Sequence, residues 1–321
     1  MAVIFLNQTG FRLGAGKGIG IAKIMSVLNR DKYLIILVLP AFLFFLIFSY
    51  LPMAGNIMAF QDFKIGSSIF NSPWVGFRWF KEFFSSVYFG RNIRNTLILS
   101  FSLLVFSFPA PIIFALLLNE VKNKFYKSFV QTVSYMPYFV SLVVVVGIIA
   151  NFLSVSDGII NILLSKIGIE PIDFMSSSEW FRPVYIISDI WQTCGWSSII
   201  YLAALSSIDP QMYEAAYIDG AGRWKQLFHV TLPSIAPTII MLLIIRTGSL
   251  MSVGFEKIVL MYSPVIYDVS DVIQTYVYRR GLVEMQYSFA TAVGLFNSVI
   301  NFILIMSVNK VSRKVTQIGL W

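Results

Sequence analysis

The chain has 321 residues, of which 57% are hydrophobic and only 12% charged, where soluble domains carry about 25% charged residues. That composition excludes a soluble globular protein and points to an all-α polytopic membrane protein. The net charge of +8 does not signal nucleic-acid binding: Lys and Arg flank apolar runs, form no basic stripe or aromatic-basic module, and are explained by retention on the cytoplasmic side of a membrane.

Residues 1–32 carry Arg12, Lys17, Lys23, Arg30 and Lys32 among glycines and read as a basic cytoplasmic tail. The run Gly14-Ala15-Gly16-Lys17-Gly18 lacks the spacing and the preceding strand of a phosphate loop. Six stretches are apolar over the ~20 residues that a membrane span needs: 33–52, 92–118, 128–152, 182–206, 235–262 and 286–308. Together they predict a transmembrane domain over 33–309 with both termini on one side. Lys122, Lys124 and Lys127, then Arg223 and Lys225, then Lys310, Arg313 and Lys314 share the face of the N-terminal tail, which the positive-inside rule assigns to the cytoplasm. Residues 310–321 form a second cytoplasmic tail.

On the opposite face, the segment from Met53 to Arg91 contains Asn71-Ser72-Pro73-Trp74-Val75-Gly76-Phe77-Arg78-Trp79-Phe80. Its aromatics suit either a lip at the membrane interface or a platform for sugar rings. A short helix is expected near Ile159 to Ile167. The last outer connection, 263–285, carries Asp268, Asp271, Tyr276, Tyr278, Arg279 and Arg280 and is long enough for a re-entrant or capping segment.

The cytoplasmic connection 209–233 contains helix signals unusual for a simple loop. Asp209 suits an N-cap, Pro210 the first helical position, and Gly220 the left-handed residue after the last turn. Charged residues within spans are costly and mark interiors or aqueous paths. Asp189, Gln192, Thr193 and Trp196 fall on one face of the fourth span, and Arg246, Ser249, Val253 and Glu256 have the same spacing along the fifth. These residues suit a hydroxyl-rich ligand, or else anchor and pair the helices. The single Cys194 and single His229 exclude an intrachain disulfide, a Cys/His metal site and a Ser/His/Asp triad. With no Walker-type loop in the chain, ATP used in transport must be bound elsewhere.

The connection 209–233 resembles the EAA motif of permease subunits of bacterial ATP-binding cassette importers. Glu214-Ala215-Ala216, Gly220, Val230 and Leu232-Pro233 keep its spacing, with Val230 in place of the usual Ile. Most of the chain is similar to the carbohydrate branch, the LplB-like polysaccharide or oligosaccharide permeases. Leu51-Pro52-Met53, Ala59-Phe60-Gln61-Asp62-Phe63, Met136-Pro137, Asp189-Ile190-Trp191-Gln192, Gly254-Phe255-Glu256-Lys257 and Tyr278-Arg279-Arg280-Gly281 carry that likeness.

The resemblance implies a type I importer permease fold in the bacterial cell membrane, non-catalytic and working by alternating access. Its implied partners are a second homologous permease, two ATPase subunits that bind ATP and Mg, and an extracellular solute-binding protein. A coupling helix would dock on the ATPase through Glu214, Ala215, Ala216, Asp219, Gly220, Arg223 and Trp224, while Trp224, Leu227 and Phe228 pack a second short helix against the spans. Ligand contacts would come from Asp189, Gln192, Thr193 and Trp196, and from Arg246, Ser249 and Glu256. Arg246, Arg279 and Arg280 would suit uronic-acid glycans. A non-sugar cargo, a secondary transporter and a receptor are the competing readings.

Overall fold

The structure, a computed structural model, describes residues 30–320. The expected N-terminal tail lies almost wholly outside them. The chain divides into two compact units, at Asn56 and Ile57. The first is the apolar helix α1 (Lys32–Phe45), which runs on through a π-helical turn, Leu46–Tyr50. Its sequence is apolar on every side, as a lipid-embedded helix requires.

The regular secondary structure of the second unit is all helical among its described residues, apart from one isolated bridge, Gln61 to Trp74. Its elements are α2 (Arg78–Ser85), α3 (Phe89–Asn119), α4 (Lys124–Phe139), α5 (Leu142–Phe152), α6 (Ile159–Lys166), α7 (Ser178–Ser206), α8 (Pro210–Ile218), α9 (Arg223–Thr247), α10 (Phe255–Met261), α11 (Tyr267–Ser270), α12 (Ile273–Tyr278) and α13 (Tyr287–Thr316). Helix α7 is central. It packs along the second half of α3 and touches α4, α9 and α11, while α13 packs on α2, α9 and α12.

Four helices among the described residues are long and apolar enough to span a membrane: Lys32–Phe60, α3, α9 and α13. Two expected spans are not single straight helices. The stretch 128–152 is bent by 104° between α4 and α5. Pro137 sits in a 3-10 turn there, and Ser141 begins a new helix by accepting the Val144 N–H, so the chain restarts instead of continuing. The stretch 235–262 is also broken. Helix α9 begins earlier, at Arg223, ends at Thr247, and is followed by seven residues of turn and coil before α10.

That break is held by side chains from two other helices. Ser100 Oγ donates to the Leu250 carbonyl, the Met251 N–H donates to Asn301 Oδ1 at 2.9 Å, and Asn301 Nδ2 donates to Ser252 Oγ at 3.1 Å. Non-helical backbone at membrane depth is tolerated only where protein or water satisfies it. The Arg246, Ser249, Val253, Glu256 spacing therefore does not lie on one helical face, because the helix stops after Thr247.

The connection 263–285 is built into the core. Asp271 is fully buried and binds Arg91 at 2.9 Å and Arg279 at 2.7 Å. Asn95 Nδ2 donates to the Asp271 carbonyl at 3.0 Å, and Thr96 accepts from the Ile273 N–H, tying this connection to α3.

Helix α7 approaches α4 so closely at Gly195 that a Cβ there would run into the Ser134 backbone carbonyl. Because the obstacle is backbone, it cannot rotate away. Gly195→Ala should therefore lower stability by about 1–3 kcal/mol, read as a fall in the thermal midpoint of the purified protein. An unchanged midpoint would refute the close crossing.

Candidate functional site

Helix α7 positions the site because its polar face, with Asp189, Gln192 and Thr193 half-buried and Trp196 exposed, borders open volume, and α7 is not among the four helices apolar enough to span a membrane. Asp189, Thr193 and Trp196, spaced one helical turn apart, line a cavity of about 630 Å³. Arg246 from the last turn of α9 and Ser249 from the break line the same cavity. A neighbouring cavity of about 390 Å³ is lined by Asp189, Gln192 and Glu256. All seven expected ligand residues thus border two cavities that share Asp189. The break accomplishes what a continuous helix would not: it puts Arg246 and Ser249 on one side of Asp189 and Glu256 on the other.

Several local contacts orient these groups. Ser107 Oγ donates to Asp189 Oδ2, and Thr193 Oγ1 donates to the Asp189 carbonyl at 2.8 Å. The Trp196 indole is stacked on Tyr138 with centroids 5.0 Å apart and planes at 7°, and Phe139 meets it edge-on at 5.2 Å. Both rings come from the turn that bends α4 away from α5. Arg246 and Glu256 have no ion-pair partner within 4.0 Å among the described residues, so neither pins the bundle electrostatically.

Sequence reasoning missed Ser107, Tyr138 and Lys257. Lys257 borders the smaller cavity, is 3% exposed, and lies 5.1 Å above the Tyr185 ring. Its neighbour Glu256 is exposed, and an unbroken helix gives no reason to prefer one over the other. The motif Gly254-Phe255-Glu256-Lys257 held the signal: a Cβ on Gly254 would meet the Tyr185 hydroxyl, which marks the close approach that turns Lys257 inward.

The connection 209–233 forms the second candidate surface. Asp209 Oδ1 accepts the Gln211 N–H at 2.9 Å, Pro210 opens α8, and Gly220 has φ +74°. The Ala221 N–H reaches the Ala216 carbonyl at 2.9 Å and closes the C-terminus. Glu214, Ala215, Asp219 and Arg223 are exposed and Ala216 is half-buried. Large apolar side chains are exposed beside them: Tyr217, Ile218 and Trp224 at 77%, 83% and 74%. The expectation that Trp224 and Phe228 pack against the spans is therefore wrong. They stack on each other at 6.4 Å and face outward, while α8 is tied to α9 by a 3.0 Å hydrogen bond between the Tyr213 and Thr231 hydroxyls.

Comparison with known proteins locates these features. Residues 107–317 match the family model described as binding-protein-dependent transport system inner membrane component. The chain is 47% identical over 309 residues to Protein LplB of Bacillus subtilis (strain 168), covering 96% of both chains. It is 43% identical over 299 residues to the polygalacturonan/rhamnogalacturonan transport system permease protein YteP of the same organism, covering 93% of both. Among solved structures, it resembles a chain of a bacterial ABC transporter involved in the import of the acidic polysaccharide alginate. The TM-score is 0.86 with 46% identity, over 92% of this chain and 99% of that one. A chain of a bacterial alginate ABC transporter in complex with alginate pentasaccharide-bound periplasmic protein gives a TM-score of 0.86 with 45% identity, at the same coverage.

The ring cluster around Trp196 generates a stability expectation. Tyr138→Ala removes its parallel partner and should cost about 0.5–1.5 kcal/mol beyond lost area. Tyr138→Phe should restore most of it in a thermal melt, and equal loss from both would show that the stack contributes nothing.

Proposed function

The chain belongs to the family of binding-protein-dependent transport system inner membrane components, and from that premise we propose that it is the permease subunit of an ATP-driven importer of acidic oligosaccharides or polysaccharide fragments. The observation that carries the cargo is the pair of cavities around Asp189, where carboxylate, amide, hydroxyl and indole groups meet an Arg246 that has no ion-pair partner within 4.0 Å among the described residues. Sugars present rings to stack and hydroxyls that both donate and accept. A uronate adds the carboxylate that Arg246 lacks. The names of the relatives, which concern polygalacturonan, rhamnogalacturonan and alginate, support the same class of cargo.

In this reading six spans cross the membrane: α1, α3, the bent pair α4 and α5, α7, α9 with its broken extension, and α13. Both termini face the cytoplasm, as do α8 and residues 310–321. The outer connections face a solute-binding protein, and a second permease completes the pathway. Helix α8 is the coupling helix. Glu214 contacts the ATPase, Ala215 and Ala216 permit close approach, Gly220 makes the turn, and Asp219, Arg223 and Trp224 complete the docking surface. ATP and Mg belong to two partner ATPase subunits. The exposed apolar side chains of this connection support docking, since water-exposed Tyr217, Ile218 and Trp224 gain by being covered.

Two experiments test the reading in the reconstituted transporter. Glu214→Ala should abolish ATP-driven uptake while membrane insertion persists, because Glu214 is exposed and holds nothing in the fold. Uptake that continues without any ATPase would refute the proposal. Arg246→Ala should weaken uptake of a uronate oligosaccharide by about tenfold, the size of one charge-assisted hydrogen bond, and leave a neutral one unaffected. Equal effects on both would remove Arg246 from the cargo site.

A further inference from the structure

A separate cavity of about 590 Å³ lies between the start of α3 and the connection 263–285, with Tyr88, Arg91, Tyr267, Tyr276 and Arg279 in its wall. Its electrostatics are unbalanced. The buried Asp271 carboxylate accepts from Arg91 at 2.9 Å, from Arg279 at 2.7 Å and from the Thr275 hydroxyl at 2.8 Å. One carboxylate thus serves two guanidinium groups, and one positive charge is left over. Arg91 and Arg279 remain 28% and 25% exposed, and both line the cavity.

Around the cavity as a whole, the guanidinium groups of Arg91, Arg94, Arg182, Arg279 and Arg280 face the carboxylates of Glu82, Asp268, Asp271 and Glu284, a balance of one positive charge. Arg280, also in the wall, is paired with both Glu82 at 2.9 Å and Glu284 at 3.0 Å, so of the three arginines in the wall it is the one already supplied with carboxylates. Asp268 also lines the cavity; its carboxylate accepts from the Ser178 hydroxyl at 2.8 Å and makes no ion pair within 4.0 Å with Arg91 or Arg279 among the described residues. Acceptors are also scarce. Arg91 Nε, Arg279 Nη1 and Arg280 Nε are buried without a hydrogen-bond partner among the described residues, so the protein itself leaves these guanidinium groups short of acceptors.

The guanidinium groups are held rigid rather than left to wander. Arg91 lies 4.9 Å from the Tyr88 ring centroid and Arg279 4.7 Å from that of Tyr267. Planar guanidinium forks fixed on aromatic faces match the geometry of a carboxylate. The volume falls within the ~300–1,000 Å³ of small-molecule sites.

We propose that this cavity is a carboxylate-binding subsite for an acidic sugar residue, with Arg91 and Arg279 as its ligands, at the outer mouth of the path. This rests on the importer reading above. A glycan is favoured over an acidic segment of a protein partner because the cations are recessed and walled by rings, whereas a protein carboxylate needs only cations on an open rim.

The test uses the complete transporter in nanodiscs, in an Arg246→Ala background, with a uronate trisaccharide and its carboxyl-reduced counterpart as probes. Arg91→Gln should weaken trisaccharide binding about tenfold, Arg91→Lys should retain part of it, and the carboxyl-reduced probe should bind both variants alike. Asp271 keeps Arg279 and Thr275 in either variant, and Arg91→Lys separates loss of charge from loss of fold. Unchanged trisaccharide binding in Arg91→Gln, or equal loss for both probes, overturns the subsite. So does a variant that loses affinity only for the ligand-free binding protein, which would assign the cations to a protein carboxylate. A wild-type transporter that carries no glycan with its binding protein and ATP overturns the importer reading itself.

Discussion

Backbone amides cannot be left bare at membrane depth, and the site depends on how this chain meets that constraint after Thr247. An unsatisfied peptide group in an apolar setting costs several kcal/mol. A break of seven residues is permitted only because Ser100 and Asn301 supply the missing partners for Leu250 and Met251. The same polar residues fix where the chain re-enters helix at Phe255. The positions of Arg246, Ser249, Glu256 and Lys257 follow from that re-entry, so the cavity chemistry is inherited from a hydrogen-bonding problem solved by α3 and α13.

Asp189 is the point where the two cavities meet, and its setting shows how one polar residue serves two roles. Ser107 occupies one carboxylate oxygen, and the backbone carbonyl of Asp189 takes the Thr193 hydroxyl. The remaining acceptor capacity faces open volume. Tyr138 and Phe139 brace Trp196 from the bend between α4 and α5, so a second helix interruption also contributes to the site. Both interruptions lie beside the unbroken helix α7, and it is their juxtaposition with α7 that produces concave walls.

The two kinds of feature were unequally legible in the sequence. Asp209, Pro210 and Gly220 announced α8 because caps act over a few residues, and each acts in the structure as its chemistry dictates. The face Asp189, Gln192, Thr193, Trp196 was legible because α7 is unbroken. The breaks were not, since the polar residues between Arg246 and Lys257 read equally well as one face of a continuous helix, and the residues that hold the break, Ser100 and Asn301, are about 150 and 50 positions away. The outward stacking of Trp224 and Phe228 was hidden for a different reason: apolarity alone does not say whether a residue is covered by its own chain or by a partner.

In the proposed mechanism the connection between docking surface and cargo site is mechanical, and α9 provides it. Tyr213 ties α8 to Thr231 near the start of α9, and that helix then runs to Thr247 at the edge of the cavity. Twenty-five residues at 1.5 Å each make a rod of about 37 Å. A rod fixed at one end to a docking helix and released at the other by a break can tilt without dragging α10 with it. Arg246 and Ser249 would then move as α8 moves, while Glu256 and Lys257, beyond the break and packed near Tyr185, stay with α7. Displacement at the ATPase surface thereby becomes a change in the separation of the two walls around Asp189, which is what a pathway that opens to alternate sides requires.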